Sequence, residues 1–399
     1  MLFVLGDIYN NYLFKGLIFK CYVMKKKKKS TRQILEPHSA AKVELYRIYL
    51  SIYLNILYRV DFIENIYLYD LFAGEGVYED GGKGSPIVTA ETIKNHYFYN
   101  NKSCKDIELF LNDYGYSEIE EDKLKIDRVK ENIDPIFLPE NVRVNYSNKE
   151  YVEIFQEVKD SINKMKDNER ALLFLDPWGY KNIKPYEIKE LLSNGKTELL
   201  LFLPISFMYR FAAKVVKESF RGGEALERFI NDLFEGETPN TTNPINFIIS
   251  VKERFKEYLH LKYVDTFTLR PDRNNIFCVY YFTNSKLGFV KMLYALWRVD
   301  MSSGKGYEST KALGLFEEFH LSNYDQKLKK YIIESDGKTN LDITEYGYNE
   351  GFLPKHSNAI LKGLLKSKVI EIISLDGGKP AGFYLDRNDR NVLIRKVEK

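Results

Sequence analysis

Two short stretches carry the residue types that could do chemistry. The first, "YDLFAGEG" at 69–76, ends an apolar run in Asp70 and follows it with Phe72, Gly74 and Gly76. Gly81, Gly82 and Gly84 come next, then Ser85-Pro86. Residues without a Cβ let backbone approach a ligand where a side chain would collide. The second stretch, "LLFLDPWGY" at 172–180, delivers Asp176 at the end of another apolar run, with Pro177, Trp178 and Tyr180 behind it. A carboxylate or a proline-flanked carbonyl there can accept a hydrogen bond from an amine, and an aromatic face can stack a base. Each stretch also has a plain reading: a flexible loop for Gly-Glu-Gly, a turn for Asp-Pro, a core position for Trp178. Their joint occurrence at the ends of different strands favours a site. Gly-Glu-Gly does not meet the dinucleotide fingerprint, and no Gly-Lys-Ser/Thr closes this glycine run, which argues against a phosphate-cradling NTPase loop here.

The elements that position these residues read as strands alternating with helices. Short β-prone runs occupy 65–74, 106–113, 141–148, 170–180 and 197–206. Runs this apolar suit strands covered on both faces, so the pattern predicts a doubly wound α/β domain. Such sheets bind ligands outside the carboxyl ends of their strands. "SAAKVELYRIYLSIYLNILYRV" predicts a long, mostly buried helix capped by Ser39, and "SPIVTAETIKN" a helix capped by Ser85 with Pro86 at its first position. Residues 207–237 predict helices broken at Gly222-Gly223, forming a lid or insertion over the ligand edge; the insertion is bounded at about 207–245. Residues 263–299 predict two strands and a helix, and 300–310 a linker or mobile loop.

Composition bounds the reading. The 399 residues carry a net charge of +3, so anion binding must come from local patches. The five histidines and three cysteines are scattered, which predicts a reduced, cytoplasmic protein with no metal site and no disulfide framework. Residues 1–36 form an N-terminal extension, too broken by Asp7, Lys15 and Lys20 for a membrane span. Met24, followed by five lysines, is a second candidate start, and the lysine run is a solvated tail.

From Phe316 onward the order becomes helix, helix, strand–turn–strand, with Gly377-Gly378 near the turn. That is the winged-helix order. From Lys355 to the end there are ten Lys/Arg against five Asp/Glu, a local +5 that suits phosphate contacts; a protein–protein module is the competing reading. The domain division is therefore 1–36, 37–305 and 316–399.

"DLFAGEG" resembles motif I of class I S-adenosylmethionine-dependent methyltransferases, above all those acting on amino groups of nucleic acids, and "LDPWGY" resembles their Asp-Pro-Pro-Tyr motif IV. Together with "HSAAKVELYRIYL" and "FCVYYFTNSKLGFVKML", they resemble the three-Cys-motif partner (TcmP) family over about residues 37–399. The resemblance implies a Rossmann-like methyltransferase sheet with a helical insertion and a C-terminal winged-helix-like domain. It implies S-adenosylmethionine as cofactor, DNA or RNA as substrate, and a phage Gp37/Gp68-like protein with a radical-SAM-like cysteine motif as partner. By position, Asp70 would hold the methionine amino end, and Phe72, Gly74 and Gly76 would shape the wall around it. Asn112 stands where an acid binds the ribose, with Asp113 beside it, and Asn148 would meet the adenine edge. Asp176, Pro177, Trp178 and Tyr180 would take the catalytic positions, although Trp178 replaces the second proline. The departures at Asn112 and Trp178 leave a second expectation open: a catalytically degenerate binding module that works with its partner protein.

Overall fold

The computed structural model describes residues 34–96, 105–177, 179–180, 183–215, 224–309, 317–387 and 389–397. Helix α1 (Pro37–Tyr58) opens it. An alternating series follows: β1 (Asn65–Asp70), α2 (Ser85–Lys94), β2 (Asp106–Asn112), α3 (Lys125–Ile133), β3 (Val142–Ser147), α4 (Tyr151–Asn163), β4 (Glu169–Leu175), α5 (Pro185–Leu192) and β5 (Thr197–Leu203). Helices α6 (Ile205–Val215), α7 (Glu224–Phe234) and α8 (Pro244–Tyr258) separate β5 from the antiparallel pair β6 (Tyr263–Arg270) and β7 (Phe277–Thr283). Helix α9 (Lys286–Val299) and strand β8 (Gly306–Glu308) complete this part.

The sheet order is β3-β2-β1-β4-β5-β7-β6-β8, with β1 to β5 parallel and β7 antiparallel to β5. The fold is thus Rossmann-like: a mostly parallel central sheet with helices on both faces. Side-chain alternation explains the burial of the central strands. In β4, Leu172 and Phe174 join the core under α1, α2 and α9, while Leu173 and Leu175 join the core under α4 to α8. All four are essentially inaccessible, and each such side chain contributes roughly 1.5–3 kcal/mol of burial. The strand order reverses between β1 and β4, which places Asp70 and Asp176 on either side of the switch point.

Several sequence expectations require correction. Helix α1 begins at Pro37 with Glu36 as N-cap, so Ser39 is not the cap; the fixed φ of proline starts the helix a turn early. Helix α2 begins at Ser85 itself and Gly84 is its N-cap. Of the expected lid or insertion, the insertion is present as α6 to α8 and is a packed layer: Phe229, Phe247 and Phe255 belong to the same core as Leu201 and Tyr280. Its Gly222-Gly223 break lies outside the described residues. The expected linker at 300–310 holds β8, which pairs parallel to β6, and the Asp300 carboxylate accepts from Lys305 N at 3.1 Å to shape the turn before it.

The C-terminal part consists of α10 (Glu317–Ile333), β9 (Lys338–Thr339), α11 (Asn340–Asn349), α12 (Pro354–Lys366), β10 (Ile370–Ser374) and β11 (Val392–Lys396). Its small antiparallel sheet runs β10-β11-β9. Helix α11 is an addition to the expected order, started by a Thr339–Asp342 capping box. The strand returning to β10 is 392–396 and not the "GFYL" run. Tyr384 has φ of 51°, a value that interrupts a strand. Buried Asn340 fixes the intervening loop by donating to the carbonyls of Tyr384, Arg387 and Arg390. This part joins the main core through Trp297, whose Nε1 donates to Gly351 O at 2.9 Å.

Candidate functional site at the carboxyl edge of the sheet

Asp70 closes β1 and is 1 % exposed. Its Oδ1 accepts from Phe72 N at 3.3 Å, and its Oδ2 is buried without a hydrogen-bond partner. Burial pushes its carboxyl up to about 7; the Ser85 hydroxyl and Phe72 N–H act against that shift, and the charges of Asp176 and Asp113 add to it. Behind it the chain turns through Gly74 at φ +66° and Gly76 at φ +78°. A Cβ on Gly74 would meet nothing within 4 Å, so that glycine faces open space. A Cβ on Gly76 would lie 3.3 Å from Ile87 Cδ1 and 3.4 Å from Val129, because α2 and α3 close on it.

The end of β2 supplies two different residues. Asn112 is a structural clip: Nδ2 donates to Leu71 O and Lys149 O, and Oδ1 accepts from Lys149 N at 3.0 Å. The carboxylate at this strand end is Asp113. It accepts from Gly74 N at 2.7 Å and from Lys125 Nζ at 3.1 Å. Burial raises its carboxyl, while Lys125 and the Gly74 N–H oppose that. Asn148 spends its side-chain carbonyl on Gly115 N at 3.0 Å, holding the loop that follows β2. Phe72 stacks on Tyr151 with centroids 5.2 Å apart. Glu75, between the two glycines, accepts from Arg128, from Ser117 Oγ at 2.5 Å and from Glu118 N at 2.7 Å; it anchors the loop instead of facing a ligand.

Asp176 follows β4 and is paired with Lys42 of α1. The Lys42 ammonium also sits 4.1 Å from the ring centroid of Phe202 in β5. Phe202 stacks on Phe277, and Phe277 on His38, so α1 contributes to the site as the strands do. Burial, then Lys42, lowers the His38 imidazole. Burial, then Asp176 and Asp80, pushes the Tyr78 phenol up to about 12. Pro177 is buried and its carbonyl accepts from Gly179 N at 2.8 Å. Tyr180 is a buried core residue: its hydroxyl donates to Pro204 O and its ring packs 5.4 Å from Phe229. Trp178 lies outside the described residues.

The structure therefore brings Asp70, Gly74, Gly76, Asp113 and Asp176 to one edge, sets Asn112 and Asn148 to hold the loops between them, and moves Tyr180 into the core. Sequence reading missed Lys42, His38, Phe202 and Tyr78. Lys42 is the one lysine of α1, on a helix whose other charged pair, Glu44 and Arg47, bonds within itself, and that is the one local signal that pointed to it. Among the described residues, no three His, Cys, Asp or Glu side chains come together to hold a metal ion, and no helix is long and apolar enough to cross a membrane. A cavity of about 80 Å³ lies at the opposite edge of the sheet, beside Tyr53, Arg170 and Glu198. There the Glu198 carboxylate is fully used by Tyr49, Tyr281 and Thr283, which marks a packed polar cluster.

No family model matches the chain, and no curated protein matches it. Solved structures similar to it include the O-methyltransferase TomG from Streptomyces achromogenes in complex with SAM, at 11% identity and TM-score 0.29, covering 60% of this chain and 79% of that one. An O-methyltransferase from Bacillus cereus in complex with SAH matches at 12% identity and TM-score 0.30, covering 67% and 96%. Spermidine synthase from Thermotoga maritima matches at 9% identity and TM-score 0.29, covering 69% and 73%. These low scores leave the reading of the site to the chain's own geometry.

Proposed function

We propose that the chain is an S-adenosylmethionine-dependent methyltransferase whose substrate is nucleic acid. One observation carries the reading. At the switch point of a parallel sheet, a buried carboxylate with an unpartnered oxygen stands behind a glycine turn that opens onto free space. Ligands of such sheets sit at this place. The residues fit the cofactor. Asp70 offers its unpartnered oxygen to the cofactor's ammonium, Gly74 leaves room for its methionine part, and Asp113 is the acid for the ribose hydroxyls. When bound, S-adenosylmethionine supplies an electrophilic methyl group on a sulfonium. Asp176 would accept a hydrogen bond from the acceptor and aim its lone pair; such alignment is worth more than covalent assistance. Titration calorimetry with S-adenosylmethionine tests this. Wild type should bind, and Asp70→Asn should weaken binding by about 10-fold or more. Absence of binding by the wild type would sink the proposal.

The C-terminal part supports the nucleic-acid substrate. With α11 counted, its order of helices and antiparallel strands suits a winged helix, and Lys355, Lys362, Lys366 and Lys368 are exposed on or just after α12. Affinity for DNA or RNA should then fall steeply with salt. A second reading is favoured by Asp113, whose oxygens already serve Gly74 and Lys125, so that ribose must compete for them. On that reading the chain is a TcmP-like degenerate module acting with a phage Gp37/Gp68-like three-Cys-motif partner in the cytoplasm. Cofactor binding without methyl transfer, restored by the partner, would favour it.

A further inference from the structure

Lys42 and Asp176 lie 134 residues apart in sequence, and their side chains meet where the lysine is shielded and the acid is partly open: 7% exposed for Lys42, 28% for Asp176. The ammonium bonds Oδ2 of Asp176 while it sits over the face of Phe202. A carboxylate beside an aromatic face is what a desolvated ammonium needs, since one offers opposite charge and the other a negative π-face. Without both, burying that lysine on α1 would be costly. The arrangement is a seat for a primary ammonium, occupied from within the chain.

We infer that Lys42 fills a cation seat formed by Asp176 and Phe202, and that by filling it Lys42 closes the acceptor position to cationic groups. The second half rests on the proposed role of Asp176 on the acceptor side. Oδ1 of Asp176 accepts no hydrogen bond among the described residues, and the side chain's 28% exposure leaves an acceptor an approach to it. That acceptor meets a carboxylate already neutralised. An incoming alkylammonium would lose its hydration and find no net charge in return. It would also lack a lone pair for the sulfonium carbon. An exocyclic amino group, a ring nitrogen or a hydroxyl suffers neither handicap. The acceptor class is thus uncharged groups, such as those of nucleic-acid bases, and not protein lysines.

Chemical rescue of the full-length chain tests the seat. Lys42→Ala removes everything beyond Cβ, and propylammonium replaces the lost carbons and nitrogen. Propylammonium chloride should raise the Tm of Lys42→Ala by about 2–4 °C over equal sodium chloride. It should leave wild type and the Lys42→Ala/Asp176→Asn double variant unmoved. If Lys42→Ala is unfolded, recovery of its circular-dichroism signal on adding propylammonium is the same readout. No recovery, or equal shifts in all three proteins, overturns the seat. For the acceptor class, labelled S-adenosylmethionine is offered with single-stranded DNA, total RNA or poly-L-lysine. Wild type should label nucleic acid and leave poly-L-lysine unlabelled, and Lys42→Met should bind poly-L-lysine at least about 10-fold more tightly than wild type, because the freed carboxylate then offers a cation its charge. Labelling of poly-L-lysine by the wild type comparable to that of nucleic acid, or equal poly-L-lysine affinity in wild type and Lys42→Met, overturns the exclusion. Absence of cofactor binding defeats the methyltransferase reading instead, and the seat is still decided by propylammonium.

Discussion

Asp113 Oδ2 accepts the Gly74 N–H at 2.7 Å, so the turn after β1 hangs from the end of β2. The acid and the glycine act as one unit, tied further to α3 by Lys125. Whatever binds against Gly74 therefore feels any change at Asp113.

The two glycines of this turn should respond differently to a methyl group. Both have positive φ, which costs an alanine roughly 1–2 kcal/mol. Gly74→Ala adds its Cβ to open space, so its Tm should fall only by that strain while S-adenosylmethionine affinity falls by about 10-fold or more. Gly76→Ala must also displace Ile87 or Val129, and its urea midpoint should fall further. Undiminished binding by Gly74→Ala would remove the turn from the cofactor site.

Asp70 makes stability depend on pH. Its folded carboxyl holds its proton up to about 7, against the usual 3.8. Between those values the folded chain binds more protons than the unfolded one, so raising the pH destabilises it. The full effect is on the order of 4 kcal/mol. Asp70→Asn should flatten urea-derived stability between about pH 4 and 7. An unchanged slope in that variant would assign the dependence elsewhere.

Replacing Asn112 with the acid that motif comparison expects should harm the chain. Nδ2 of Asn112 serves the carbonyls of Leu71 and Lys149, and a carboxylate would face both as a second acceptor. Asn112→Asp should cost about 1–3 kcal/mol in urea unfolding and should not tighten S-adenosylmethionine binding. A stabilised variant with higher affinity would return the ribose role to position 112.

Tyr180 and Asp176 should separate structure from chemistry. Tyr180→Phe leaves the part-buried Pro204 carbonyl without that donor, costing roughly 1 kcal/mol of stability, with no change in cofactor affinity. Asp176→Ala should leave cofactor affinity nearly unchanged while cutting turnover about 100-fold. Loss of turnover in Tyr180→Phe would contradict its core placement.

Much of this site was legible because its parts are local. Asp70 and Asp176 each end a run of apolar strand residues, and Gly74 follows within one turn. The central strands were legible for the same reason, since burial on both faces writes an unbroken apolar run. Lys42 was not, because its partner is made by packing α1 across the ends of β4 and β5. The choice between Asn112 and Asp113 depended on which side chain turns toward Gly74, which adjacency in sequence does not decide. Helix α11 was hidden by its mid-helix Gly347 and by Thr344 and Ile343, residues that lower helix propensity.

Trp297 gives the chain an optical gauge. It is one of two tryptophans, and its indole is enclosed by Phe352 and by His356, with ring centroids 5.7 and 3.8 Å away. Phe352 and His356 belong to the C-terminal part, so the environment of this fluorophore is set by the seam between that part and α9. A Trp178→Phe chain would emit from Trp297 alone. Its colour would then follow the seam without any attached label: blue while the two parts are joined, red once Gly351 and His356 withdraw.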